Sequence, residues 1–140
     1  MSSYTIVTTL DQPFDTVVPA VRTALEEQGF GVLTEIDMKA TLKKKLDVDI
    51  EPQLILGACR PPLAYAAIQA EPSIAVVLPC NVVVRSVGES TTVVEAFDPQ
   101  AMMGFADSDI LREVATDAEQ RLRAALATLT AQPAPNAQKS

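Results

Sequence analysis

Histidine and tryptophan are both missing from this chain. Without histidine there is no imidazole general base, no Ser–His or Cys–His nucleophile pair, and none of the commonest metal ligand. Aromatic residues make up only 4% of the sequence, so the core must be built from aliphatic side chains. Basic residues are also scarce, 11 against 18 acidic ones, for a net charge of -7. Such a surface repels phosphate backbones, and the expectation is a protein without nucleic-acid partners. No apolar run approaches the roughly 20 residues that span a bilayer. The chain opens MSSYTIVTTL, without a basic start leading into an apolar stretch. A soluble, cytoplasmic protein without membrane contact is expected. Two cysteines in such a setting are expected to be reduced thiols.

What is present is enough for one domain. Hydrophobic residues account for 48% of 140, a length typical of a single core. The reading is one domain over residues 1–130, followed by a polar, proline-bearing tail, AQPAPNAQKS, expected to be disordered.

Ser3–Thr9 has the β-branched content of a strand. Asp11 offers a cap for a helix in which Phe14, Val17, Val18, Val21, Ala24 and Leu25 recur at helical spacing. Pro19 falls on its solvent side, where a bend is expected, and Gly29 suits a left-handed C-cap. Phe30–Ile36 reads as a second strand. Asp37 caps a short helix, Met38–Leu46, and a third strand covers Gln53–Gly57. Leu63–Ala70 is apolar nearly all round and is expected to be a buried helix. Ile74–Leu78 is a strand or a further helical turn. Asn81–Val87 and Thr91–Phe97 flank Gly88-Glu89-Ser90 and form a β-hairpin. Asp107 or Ser108 caps a last helix whose apolar face runs through Ile110, Leu111, Val114, Ala118, Leu122, Ala125 and Leu129.

The order β-α-β-(α)-β-α-β-β-α, with a hairpin, predicts an α+β two-layer sandwich. It has about five largely antiparallel strands and helices mainly on one face. Val82, Val84, Val93 and Phe97 argue against two simply wet faces, so a homodimer covering the bare one is expected.

The stretch LGACRPPLAYAAIQAEPSIAVVLPCNVVV, followed by FDPQAMM, resembles the signature of the domain-of-unknown-function 302 (DUF302) family. GFGVLTEIDMKATLKKKLDVD is similar to that family's first half, in the same order. The resemblance runs from Ser3 to about Thr130. It implies a small α+β domain, often a dimer, found in bacteria and archaea, and it implies no known reaction.

Candidate site residues gather around the two cysteines. Cys59 follows an apolar strand and precedes a Pro-Pro helix start with Arg60 beside it, features that lower a thiol pKa. Cys80 opens the hairpin strand. If the strands are neighbours, the two sulfurs could form a redox dithiol, or a soft-metal site with Met102 or Met103 as thioether ligands. The plainer alternative is that both pack as small hydrophobes. Tyr65 and Asn81 could line a pocket with Arg60, and Asp98 could serve as a base or ligand, although Asp-Pro is also ordinary turn chemistry. Met102, Met103 and Phe105 are flexible apolar groups suited to a lid or binding patch. Lys39, Lys43, Lys44 and Lys45 form either an anion site or a solvated helix face.

The sequence therefore favours a noncatalytic module that binds a small molecule or protein through Cys59, Arg60, Tyr65, Cys80, Asn81 and Asp98, with no cofactor called for. A thiol-redox or soft-metal protein is the alternative. An enzyme is disfavoured, since no histidine and no convergent carboxylate pair is present.

Overall fold

The computed structural model describes residues 4–104 and 108–131. Its strands are β1 (Thr5–Leu10), β2 (Gly31–Asp37), β3 (Gln53–Cys59), β4 (Cys80–Gly88) and β5 (Thr91–Phe97). Its α-helices are α1 (Phe14–Glu27), α2 (Met38–Leu46), α3 (Pro61–Ala70) and α4 (Asp109–Ala131). Two 3-10 helices, Pro72–Val77 and Pro99–Gly104, lie outside the regular elements. The chain order is the one expected from the sequence, and the undecided Ile74–Leu78 stretch is largely 3-10 turn. Phe105, Asp107 and the tail at 132–140 lie outside the described residues, as does Ser3.

The five strands form one sheet in the order β1-β5-β4-β3-β2, and all four pairings are antiparallel. The two outer strands are thus β1 and β2, which α1 joins in sequence. That helix has to cross the sheet, and its apolar stripe follows from this: Val17, Val21, Ala24 and Leu25 are buried. The C-terminal half of α4 joins it through Leu122, Ala125, Leu126 and Leu129. Both helices cover the face presented by Ile6, Leu10, Leu54, Leu56, Ala58, Val82, Val84, Val94 and Ala96. Strand residues alternate in direction, so the intervening positions, among them Thr5, Val7, Ile55, Val83, Arg85 and Glu95, face away from this core. A second, smaller core holds Ala67 of α3, Ile74, Met102, and Leu111, Val114 and Ala115 of α4.

Local signals explain most boundaries. Gly29 adopts φ +86°. Its N–H donates to Glu26 O and the Phe30 N–H to Leu25 O, at 2.9 and 3.0 Å. This pair of bonds ends α1 as a Schellman motif, with Phe30 buried beside it. Asp37 Oδ1 accepts from Ala40 N at 2.9 Å and caps α2. Ser108 Oγ accepts from Leu111 N at 3.1 Å at the start of α4.

Four expectations need correction. Pro13, not Asp11, is the cap residue of α1, with no side-chain cap bond; its carbonyl takes the Thr16 and Val17 N–H groups. α3 is not buried all round. Only Ala67 is, while Tyr65 is 66% and Ile68 41% exposed, because the helix lies against the 3-10 turns and α4 rather than between two layers. Ile110 is 50% exposed and leaves the apolar face of α4. Val82 and Val84 belong to the helix-covered face, so they give no reason to cover the other one. None of the described helices is long and apolar enough to cross a membrane.

Candidate functional site

The helix-free face of the sheet carries a groove of about 500 Å³, within the size range of small-molecule sites. Its floor comes from three central strands: Gln53 of β3, Asn81, Val83 and Arg85 of β4, and Glu95 and Phe97 of β5. Val77 and Pro79 close one end, and Tyr4 and Thr5 flank it from the side of β1. The register explains why these residues meet. Val83 pairs with Glu95 and Ile55, Arg85 with Val93 and Gln53, and Thr5 with Phe97. Thr5 and Glu95, 90 positions apart in sequence, are thereby placed on one surface.

A polar chain runs through the groove. Thr5 Oγ1 donates to Glu95 Oε2 at 2.6 Å, and Arg85 Nη2 donates to Glu95 Oε1 at 2.9 Å. The Arg85 and Glu95 side chains are 36% and 22% exposed. Burial of this degree strengthens the pair over a freely exposed one without removing it from reach of solvent. Next to the groove, Gly57 is required by close packing. A Cβ there would lie 2.1 Å from Thr34 Oγ1 and 2.7 Å from Pro79 Cγ. Pro79 follows a cis peptide bond and sits against this bare position.

The six residues read from the sequence as one pocket are divided among separate places. Cys59, Arg60 and Cys80 line a narrow apolar cleft of about 30 Å³ beneath α3, with Met102. Asn81 lies in the open-face groove. Tyr65 stands on the outer side of α3, its hydroxyl accepting from Gln69 Nε2 at 2.9 Å. Asp98 opens the 3-10 turn, where Oδ1 accepts from Gln100 N at 3.0 Å and Oδ2 lies 3.8 Å from Arg123. Arg60 folds against Gly29, and its Nε is buried with no hydrogen-bond partner among the described residues.

Both cysteines are free, Cys80 buried and Cys59 half-buried. β3 and β4 are neighbours, as the dithiol idea needs, but Cys80 pairs with Ala58, not Cys59. By the pleat, Cys80 shares the helix-covered face with Ala58, and Cys59, the last residue of β3, lines the same cleft. Burial, with a smaller contribution from the charge on Cys59, pushes the Cys80 thiol up to about 11. Burial also raises Cys59. The lowering expected from the α3 N-terminus and Arg60 is not seen; burial alone sets the direction. Met102 is buried in the second core and Met103 packs at its edge. No group of three or more Cys, Asp or Glu side chains among the described residues is placed to hold a metal ion.

On α2, Lys43 pairs with Asp47 and Asp49 at 3.0 and 3.6 Å, and Lys39 donates to Ile50 O at 2.7 Å. These two lysines are engaged by the acidic loop that follows the helix.

The groove residues Arg85, Glu95, Thr5, Gln53 and Tyr4 were not singled out by sequence reasoning. A signal existed: β4 and β5 are apolar hairpin strands, and each carries one charge, of opposite sign, on the same face.

Fold and groove together define a two-layer α+β domain whose antiparallel sheet packs α1 and α4 on one face and carries the groove on the other. The family model described as Domain of unknown function DUF302 matches residues 6–129, and the chain belongs to that family. The fold is similar to the crystal structure of an uncharacterized conserved DUF302 protein from Bacillus stearothermophilus. That similarity has a TM-score of 0.80 at 26% sequence identity, covering 90% of this chain and 98% of the other. Among curated proteins, none matches.

Proposed function

We propose that this protein is a noncatalytic binding module and that its site is the groove on the helix-free face. One observation carries the reading: the groove joins an apolar floor to polar side chains that have hydrogen-bonding capacity left. Asn81 and Gln53 line it without a side-chain hydrogen bond among the described residues. Such a mixture fits small-molecule recognition, with few polar groups on an apolar surface. No histidine accompanies it, and the two thiols, Cys80 buried and Cys59 half-buried, line a separate cleft and are raised rather than lowered in pKa. That speaks against a nucleophilic dithiol. A fragment screen followed by ¹⁵N–¹H correlation spectra tests this. Hits should move the amides of Asn81, Val83 and Phe97 together. Hits that cluster on α3 or the Cys59 cleft instead would remove the groove as the site.

A second copy of the chain is the second reading, favoured by one register row. Val7, Glu95, Val83, Ile55 and Ile36 lie side by side across the helix-free face. Val7 is 40% and Ile36 45% exposed at its two ends. A homodimer seated on this row would double the 14.9 kDa mass in light scattering. Val7→Lys with Ile36→Lys should return it to monomer, and a monomeric wild type ends this reading.

A further inference from the structure

We propose that the groove takes a small monocarboxylic acid, its head on Arg85 and its flat apolar body along Val83, Pro79 and Phe97. This inference rests on the groove being the binding site, and it adds the chemical class of the ligand.

The charge preference follows from which hydrogen-bonding groups are already used. Glu95 has both oxygens engaged, Oε2 by the Thr5 hydroxyl and Oε1 by Arg85. A cationic ligand would have to share these oxygens with Thr5 and Arg85 and sit beside the guanidinium charge. Arg85 is in the opposite position. Among the described residues it spends only Nη2, on Glu95. A guanidinium carries five N–H donors in a rigid fork that matches a carboxylate. At 36% exposure the Arg85 side chain remains reachable. Gln53 pairs with Arg85 across β3 and β4 and adds an amide N–H₂ donor on one side. Asn81, two residues from Val83 on the same strand face, adds another. The two amides keep acceptor oxygens as well, so the anion preference rests on Arg85, the one charged lining group that is all donor and still has N–H groups to spend among the described residues.

Size and field narrow the ligand further. The volume of about 500 Å³ suits a small molecule. The chain's net charge of -7 and the Glu95 carboxylate both disfavour a dianion such as a phosphate monoester. A single negative charge is therefore the best match. Val77, Pro79, Val83 and Phe97 supply the apolar wall for the remainder of the molecule.

The test uses four probes that share one body: phenylacetate, the neutral phenylacetamide, the cationic phenethylamine and the dianionic phenyl phosphate. Each is titrated into the full chain and followed by ¹⁵N–¹H spectra. Phenylacetate should move Asn81, Val83, Arg85 and Phe97 and bind about tenfold more tightly than the amide or the amine, a difference of about 1.4 kcal/mol. Arg85→Gln should erase that preference. Arg85→Lys, which keeps the charge and loses the fork, should retain part of it. Glu95→Gln should tighten phenylacetate binding, because it removes the competing carboxylate. Phenethylamine or phenyl phosphate binding as tightly as phenylacetate overturns the inference, as does a preference that survives Arg85→Gln. Phenylacetamide binding in the groove equally well overturns the carboxylate and leaves the binding module standing. If no probe moves groove residues, both fall together.

Discussion

The two faces of the sheet are built from the same five strands and differ in almost everything else. On the helix-covered face, Leu56, Val82, Val84, Val94 and Ala96 are fully excluded from solvent and meet α1 and α4. On the other, Ile55 and Val83 are half-buried, and a charged pair with its hydroxyl partner occupies the centre. The period of a strand is two, so adjacent residues report on different environments. One face holds the fold together, and the other is left with unused hydrogen-bonding groups.

Neighbouring residues on β3 give the largest expected contrast. Leu56→Ala should cost about 2–5 kcal/mol, since it leaves a cavity under two helices. Ile55→Ala, one residue away, should cost about 1 kcal/mol or less, given its partial burial. Urea unfolding of the two variants measures both. Equal losses would mean that the helix-free face is covered in solution, and would move the balance toward the second copy.

The next contrast is in titration. Cys80 lies on the covered face with its pKa pushed up to about 11 by burial and the nearby Cys59 charge. The unfolded thiol ionises in the ordinary cysteine range, so above that range the unfolded state binds fewer protons than the folded one. The stabilisation is complete below the unfolded pKa and is lost as pH rises toward about 11. Unfolding midpoints should therefore fall on the alkaline side in the wild type and fall less in Cys80→Ala. A thiol reagent at neutral pH should modify half-buried Cys59 first and Cys80 only as fast as the protein opens. Rapid modification of both in the native state would restore the dithiol reading that the raised thiol pKa values argue against.

Much of the covered face was legible in the sequence, because burial writes itself as periodicity. The stripes of α1 and α4, the Gly29 cap and the β4–β5 hairpin were all visible in local pattern. The open face was not. Thr5 and Glu95 meet only because β1 pairs with β5, and nothing local in either segment specifies that strand order. The error over α3 has a related cause. Tyr65 and Ile68 look like core residues by composition, but a helix at the sheet's end has one covered side only. The cysteines sit at the ends of strands whose adjacency the sequence left as a condition, and β3 and β4 do pair. That Cys80 pairs with Ala58 and not with Cys59 depends on register, which shifts by one residue without any change in composition.

The smallest expected effect lies on the outer surface of the helix layer, where the comparison between faces has least hold. Glu119 of α4 accepts from Arg123 Nε at 2.8 Å and from Gln100 Nε2 at 3.1 Å, so it ties the helix to the 99–104 turn. The Arg123 bond, then the Gln100 bond, hold its carboxyl below the usual glutamate range. A carboxyl lowered in the folded state contributes stability above its unfolded pKa, and loses it as pH falls through the folded one. Arg123 is 55% exposed at the side chain, and an exposed i,i+4 pair contributes only about 0.3–0.5 kcal/mol. Glu119→Gln should therefore lower the neutral-pH midpoint slightly and converge with the wild type in acid. A loss of several times that size would mean that the turn at 99–104, which carries Met102 into the second core, depends on this one carboxylate for its position.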